Sequence, residues 1–204
     1  AANPEHLRAR LGSALTKVLR RSNMKDAQDL VNELATAELT PFLAGRRFTV
    51  AAELAIVEGK FEDAVKLAEQ GIAANPADPW PDFAKARALG FKKDVGAGPA
   101  FDAVLAKNKV APIFYFDGAT LLQQMGRLDD ALALMDKYET QFKNVKFPDS
   151  TGKEESYLGR DDRYWLARGD IALAAGKDDL AMTAYESAIA AKSINQVRAN
   201  YSKA

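Results

Sequence analysis

The sequence predicts an all-α fold in which antiparallel helix pairs stack as a solenoid, about ten or eleven helices in one domain. Three observations predict it. The stretch Gly45 to Asp78 holds two helical stripes on either side of Glu58-Gly59-Lys60. Its spacing of bulky residue, glycine and alanine returns twice further along the chain. The composition is 48% apolar, rich in alanine and short of β-branched runs.

Taken in order, Asn3-Pro4 reads as a helix start, with Asn as N-cap, Pro at the first helical position and Glu5 in the first turn. Leu7, Leu11, Ala14, Leu15 and Val18 form an apolar stripe to Arg20. Ser22-Asn23 breaks the helix and recaps it, and Ala27, Leu30, Val31, Leu34 and Ala35 form the next stripe. Residues 4–40 thus make a hairpin without a turn glycine. Its opposite face carries Arg8, Arg10, Arg20 and Arg21, read first as a solvated face and second as a patch for an anion or an acidic partner.

Thr40-Pro41 repeats the cap-and-proline start. In the 45–78 unit, Phe48, Ala51, Ala52 and Ala55 share one helical stripe, and Phe61, Ala64, Ala68, Gly71 and Ile72 share another. Gly59 ends the first helix where a positive φ is wanted, and Pro76 follows the second. Asp78-Pro79-Trp80-Pro81-Asp82 is expected to stay out of helix at first. Phe83, Ala86 and Leu89-Gly90 then give a helix to Lys92, and Gly96-Ala97-Gly98-Pro99 restarts a short one through Phe101, Val104 and Leu105. Residues 79–111 would be an eroded unit, since Gly59 and Gly126 lie 67 residues apart, one short of two 34-residue repeats.

Pro112 opens a clear unit, 112–141, with Tyr115, Gly118, Ala119, Leu122, Leu128, Ala131, Met135 and Tyr138. An insertion of about sixteen residues follows, at 142–159, with Lys146 to Gly152 as its irregular part. The 162–192 unit has Trp165, Gly169, Ala172, Ala181, Tyr185 and Ala188. Ser193 would cap a last helix, 193–204, with Ile194, Val197 and Tyr201 on its inner side.

Gly59, Phe61, Ala64, Ala68, Gly71 and Pro76 fall at the spacings of a tetratricopeptide repeat, and the 45–78 stretch resembles that family. The turn core recurs at Gly126-Arg127-Leu128-Asp129-Asp130-Ala131 and at Gly176-Lys177-Asp178-Asp179-Leu180-Ala181. Phe48, Tyr115 and Trp165 each precede their glycine by eleven residues. Gly71 departs from the pattern, standing where the family usually has alanine. The resemblance implies a right-handed superhelix whose first helices line a concave groove that receives a peptide or a partner's helix.

Little in the sequence carries chemistry. Lys plus Arg (28) equal Asp plus Glu (28), so no bulk field draws the chain to nucleic acid or an anionic membrane. No apolar run is long enough to span a bilayer. The absence of cysteine excludes disulfides, thiolate metal sites and cysteine nucleophiles. His6, the only histidine, reads as a surface residue. Asp129-Asp130, Asp161-Asp162 and Asp178-Asp179 are adjacent pairs that cannot face each other on a helix; two of them sit at first turns, and they read as capping rather than acid–base catalysis. Gly96-Ala97-Gly98 lacks the strand and lysine of a phosphate loop. No catalytic residue, metal or cofactor is expected. The start Ala1-Ala2-Asn3-Pro4 fits removal of a signal peptide or trimming of the chain, with export slightly favoured.

Function must then come from a surface. The resemblance places Arg46, Thr49, Glu53, Phe116, Thr120, Gln123, Arg163, Leu166 and Asp170 on the groove side. Thr49 and Glu53 stand where the chaperone-tail-binding subclass has lysine and asparagine, which argues against a carboxylate clamp. The expected function is a non-enzymatic adaptor binding a protein or peptide. A self-assembling subunit, its N-terminal hairpin docked on another copy's groove, is the alternative. A helical enzyme or small-molecule binder, with a deep pocket of convergent polar groups, is the third.

Overall fold

A computed structural model describes residues 3–107, 111–148 and 152–191. The fold is all-α and built from antiparallel helix pairs, with ten α-helices and a two-stranded hairpin among the described residues. It divides into two compact units, Ala1–Val110 and Ala111–Ala204. None of the described helices is long and apolar enough to cross a membrane. The expected C-terminal helix with Ser193, Ile194, Val197 and Tyr201 lies outside the described residues, as do Asp149, Ser150 and Thr151 of the insertion.

The first unit runs α1 (Pro4–Leu19), α2 (Met24–Glu33), α3 (Pro41–Val57), α4 (Phe61–Ala74), α5 (Pro79–Phe91) and α6 (Ala97–Leu105). The Asn3 side chain accepts from the Glu5 amide at 3.0 Å, and Thr40 Oγ1 accepts from the Leu43 amide at 3.4 Å. The α1 stripe is buried as its spacing requires: Leu7, Leu11, Ala14, Leu15 and Val18 pack with Ala27, Leu30 and Leu34 of the second helix and its C-terminal end. Leu43, Val50 and Leu54 of α3 complete that core. Ala52, Ala68 and Ala84 bring α3, α4 and α5 into close contact, and Phe61 and Phe91 stack at 5.8 Å beside them. Of the basic residues on the hairpin, Arg10 pairs with Glu33 at 2.6 Å and Arg8 lies 5.2 Å from the Phe42 ring.

Contrary to expectation, Pro79 and Pro81 belong to α5. Both fall in its first turn, where a missing amide costs no helical hydrogen bond, and Asp78 caps the Trp80 amide at 3.2 Å. Pro81 also explains Gly71. A Cβ on Gly71 would lie 3.0 Å from Pro81 Cβ and 3.3 Å from the Gly45 carbonyl, so the family's alanine would need its neighbours to give by a few tenths of an ångström.

The five described hairpin turns close in the same way. Arg21, Gly59, Lys93, Gly126 and Gly176 each have positive φ, at 51°, 75°, 58°, 75° and 68°. In each, the amide of the next residue bonds back across the helix end, as from Lys60 to the Ala55 carbonyl at 2.8 Å and from Asp94 to the Leu89 carbonyl at 2.9 Å. Lys93 therefore holds, in the 79–111 segment, the turn position that Gly59 holds one repeat earlier.

An added Cβ at Gly59 meets nothing within 4 Å, so its cost is conformational and not steric. Gly59→Val is expected to destabilise by about 1–2 kcal/mol, the left-handed penalty. Lys93→Gly is expected to stabilise by up to about 1 kcal/mol, relief of that penalty less the backbone entropy of glycine. Urea denaturation of the two variants checks both signs.

The second unit runs α7 (Pro112–Gln124), α8 (Leu128–Phe142), β1 (Lys146–Pro148), β2 (Glu154–Ser156), a 3-10 turn (Leu158–Arg160), α9 (Asp162–Ala174) and α10 (Asp178–Ala190). The insertion is not simply irregular. Its two strands pair antiparallel, with Phe147 opposite Glu155. Alternation over three residues is too short for a pattern to reveal.

Candidate functional site

The nine groove positions behave differently in the two units. In the first unit they serve its own packing. Arg46 Nε lies 2.7 Å from Asp78 Oδ2, with its guanidinium 5.3 Å from the Phe42 ring and 5.5 Å from the Trp80 ring. Desolvation leads in holding the Arg46 pKa below the ordinary arginine value, and the Asp78 charge partly offsets it. Thr49 is 0% exposed and donates to the Gly45 carbonyl at 3.0 Å. Glu53 is 1% exposed and accepts from Arg87 Nη1. The pairs Arg46/Trp80 and Glu53/Arg87 are each 34 residues apart, so they join equivalent positions on α3 and α5. Thr49 and Glu53 therefore present no surface to a partner.

In the second unit the predicted positions converge. Thr120, Gln123, Arg163, Leu166 and Asp170 line one cavity of about 490 Å³ between α7 and α9, together with Ala167 and Ile171. Phe116 stands at its edge, its ring 5.9 Å from the Arg163 guanidinium. The spacing explains the convergence: residues three, four and seven apart share a helix face, and both helices turn that face inward. Leu166 and Ile171 are buried and form an apolar base. Thr120 is exposed, and the Arg163 side chain is 72% exposed, so the cavity opens to solvent. Asp170 Oδ1 accepts from the Tyr185 hydroxyl at 3.1 Å. Ala167 and Ile171 extend the Arg163 row at i+4 and i+8, a signal the groove assignment did not use.

Behind the cavity, aromatic rings set the position of α9. Tyr138 of α8 stacks on Tyr164 at 5.0 Å and lies 5.1 Å from Phe116. Its hydroxyl donates to Asp161, whose other oxygen caps the Tyr164 amide at 3.2 Å. Tyr164 donates to Glu139 at 2.7 Å and accepts from Arg168 at 3.1 Å. The insertion joins the same cluster: Phe142 stacks on Tyr157 at 5.2 Å, and Trp165 Nε1 donates to the Leu158 carbonyl at 2.8 Å.

Burial first, and donation to a carboxylate second, raise the pKa values of Tyr138 and Tyr164 far above the ordinary 10.0. Both groups stay protonated in the fold when the unfolded chain would lose the proton. Their contribution is thus complete below about pH 10 and declines as pH rises beyond it, by up to about 1.4 kcal/mol per pH unit for each tyrosine. Tyr138→Phe should flatten that alkaline loss, read from urea midpoints between about pH 8 and about pH 11.

Among the described residues, no group of three or more His, Asp or Glu side chains converges to hold a metal. His6 is exposed.

No protein-family model matches the chain, and no curated protein matches it significantly. Solved structures do. The structure titled "Crystal structure of MamA protein" aligns with a TM-score of 0.58 at 13% identity, covering 97% of this chain and 96% of that one. A second structure, of a MamA mutant, aligns with a TM-score of 0.53 at 12% identity, covering 92% of this chain and 98% of that one. At such identities the likeness concerns the fold alone.

Proposed function

We propose that this chain is a non-enzymatic protein-interaction scaffold of the tetratricopeptide type, and that it receives a peptide or a partner's helix in the cavity between α7 and α9. One observation carries the reading: Thr120, Gln123, Arg163, Leu166 and Asp170, nominated by repeat position, line a single solvent-open cavity with an apolar base. The helical-repeat fold shared with the MamA structures supports it. Arg46, Thr49 and Glu53 act in this account by holding α3 to its neighbours, so partner contact rests on the second unit. The test is photo-crosslinking from within the cavity, set against the same probe on the exposed side of α10.

A further inference from the structure

We infer that the α7–α9 cavity receives an extended segment whose acidic side chain meets Arg163 while an apolar side chain two residues away enters the base beside Leu166. The inference rests on the groove reading and gives it a chemistry. Alternate side chains of an extended chain point to one side and stand about 6.6 Å apart. On α9, Leu166 and Ala167 follow Arg163 by three and four residues, so they adjoin it on one helix face at about 5–6 Å. The two spacings match.

Arg163 supplies the charge. Its side chain is 72% exposed, and its guanidinium lies 5.9 Å from the Phe116 ring at the cavity edge. Asp161 Oδ1 stands 3.9 Å from the Arg163 Nε, but the two Asp161 oxygens already accept from the Tyr164 amide and the Tyr138 hydroxyl. The terminal nitrogens of Arg163 make no hydrogen bond among the described residues, and they present the fork that a carboxylate fits. Leu166 and Ile171, both buried, supply the apolar half, and Ala167 beside them projects only a methyl group. Backbone chemistry selects an extended chain over a helix. Thr120 and Gln123, on the α7 wall, make no side-chain hydrogen bond among the described residues, and each both donates and accepts. An extended strand offers unpaired amides and carbonyls to such groups, whereas a helix satisfies its own internally. The cavity, about 490 Å³, is also close to the volume of one helical turn with its side chains, so a helix would rest on its rim.

The test uses labelled peptides in neutral Gly/Ser flanks, read by fluorescence polarisation. The probe core is Leu-Ser-Glu-Ser-Leu, which sets an apolar residue two positions from the acid in either chain direction. Two controls replace its Glu with Gln or Lys. A third, Ser-Leu-Glu-Leu-Ser, keeps the composition but sets leucine next to the acid, on the opposite side of an extended chain. Wild type is expected to bind the probe at least about fivefold tighter than any control. Arg163→Gln should bind the Glu and Gln cores alike, and Arg163→Glu should prefer the Lys core. Thermal melts of both variants check that they fold, and the spacing control tests the inference on wild type alone. Equal binding of the probe and any control by wild type, or a Glu preference kept by folded Arg163→Gln, overturns the inference. If that binding is then lost in Gln123→Trp, which fills the cavity, the groove reading survives. Binding that Gln123→Trp leaves intact overturns both. Absence of binding by every core also overturns the inference, and crosslinking then decides the groove reading alone.

Discussion

Arg87→Ala is expected to lower the stability of the first unit by about 3–5 kcal/mol, the usual loss when one member of a buried ion pair is removed. Glu53 is 1% exposed and the Arg87 side chain 14% exposed, so water does little to screen the pair. The guanidinium also lies 5.7 Å from the Phe83 ring and 5.9 Å from Phe91, so the truncation opens space as well. Removing the cation takes the Arg87 charge from a carboxylate on a stretch of α3 where Ala52, Leu54 and Ala55 are also buried. Replacing both partners is a different matter. Glu53→Met with Arg87→Met should recover most of the loss, because an apolar pair carries no desolvation cost. Urea denaturation of Glu53→Met, Arg87→Met and the double variant measures the coupling. A loss under about 1 kcal/mol for Arg87→Ala would mean that the pair behaves as an exposed one.

Gly169→Val is expected to cost about 3 kcal/mol and to disturb the cavity as well. A Cβ at this position would lie 2.5 Å from Tyr185 Cε1 and 2.7 Å from Cδ1. The ring cannot move aside easily, since Tyr185 is 2% exposed and its hydroxyl is bonded to Asp170. Glycine in a helix interior ordinarily costs about 1 kcal/mol relative to alanine. Here the close approach of α10 outweighs that preference. Tyr185→Leu should partly rescue the variant, whereas Tyr185→Phe should not, because the clash is with ring carbons and not with the hydroxyl. Loss of the Asp170 orientation follows from displacing Tyr185, so stability and partner binding are expected to fall together.

Turn chemistry and caps were the most legible features of the sequence. Gly59, Gly126 and Gly176 mark their turns because glycine is the ordinary occupant of a left-handed position, and Asn3, Thr40 and Pro112 mark helix starts. The same logic hides Arg21 and Lys93, which adopt that conformation without a residue type that announces it. Periodicity located the α1 stripe well. It failed on α3, where Leu43, Thr49, Val50, Ala52, Glu53, Leu54, Ala55 and Ile56 are buried around nearly the whole helix. A helix enclosed on most sides has no polar face to set a phase. Phe48, placed on the same stripe as Ala52 and Ala55, is only half-buried, with the Arg47 guanidinium 4.3 Å from its ring.

Repeat position brought five of the nine groove residues to one cavity in the second unit, whereas Arg46, Thr49 and Glu53 of the first unit are engaged in its own packing. Position fixes which way a residue points on its helix. It does not say what lies opposite. In the first unit α5 supplies Trp80 and Arg87 opposite Arg46 and Glu53, and these fill the space a ligand would need. In the second, α7 places small or neutral residues, Thr120 and Gln123, opposite Leu166 and Asp170, and the space stays open. That difference lies in side-chain pairs far apart in sequence, which a single chain read alone does not display.

The most direct measurement is photo-crosslinking in native extract, with a photoreactive phenylalanine placed at Thr120 in the cavity or at Thr183 on the exposed side of α10. The account predicts one protein adduct from Thr120, absent from Thr183, and reduced when Gln123→Trp fills the cavity. An adduct formed equally from both positions, or one from Thr120 that survives Gln123→Trp unchanged, would contradict the claim that this cavity is where the partner binds.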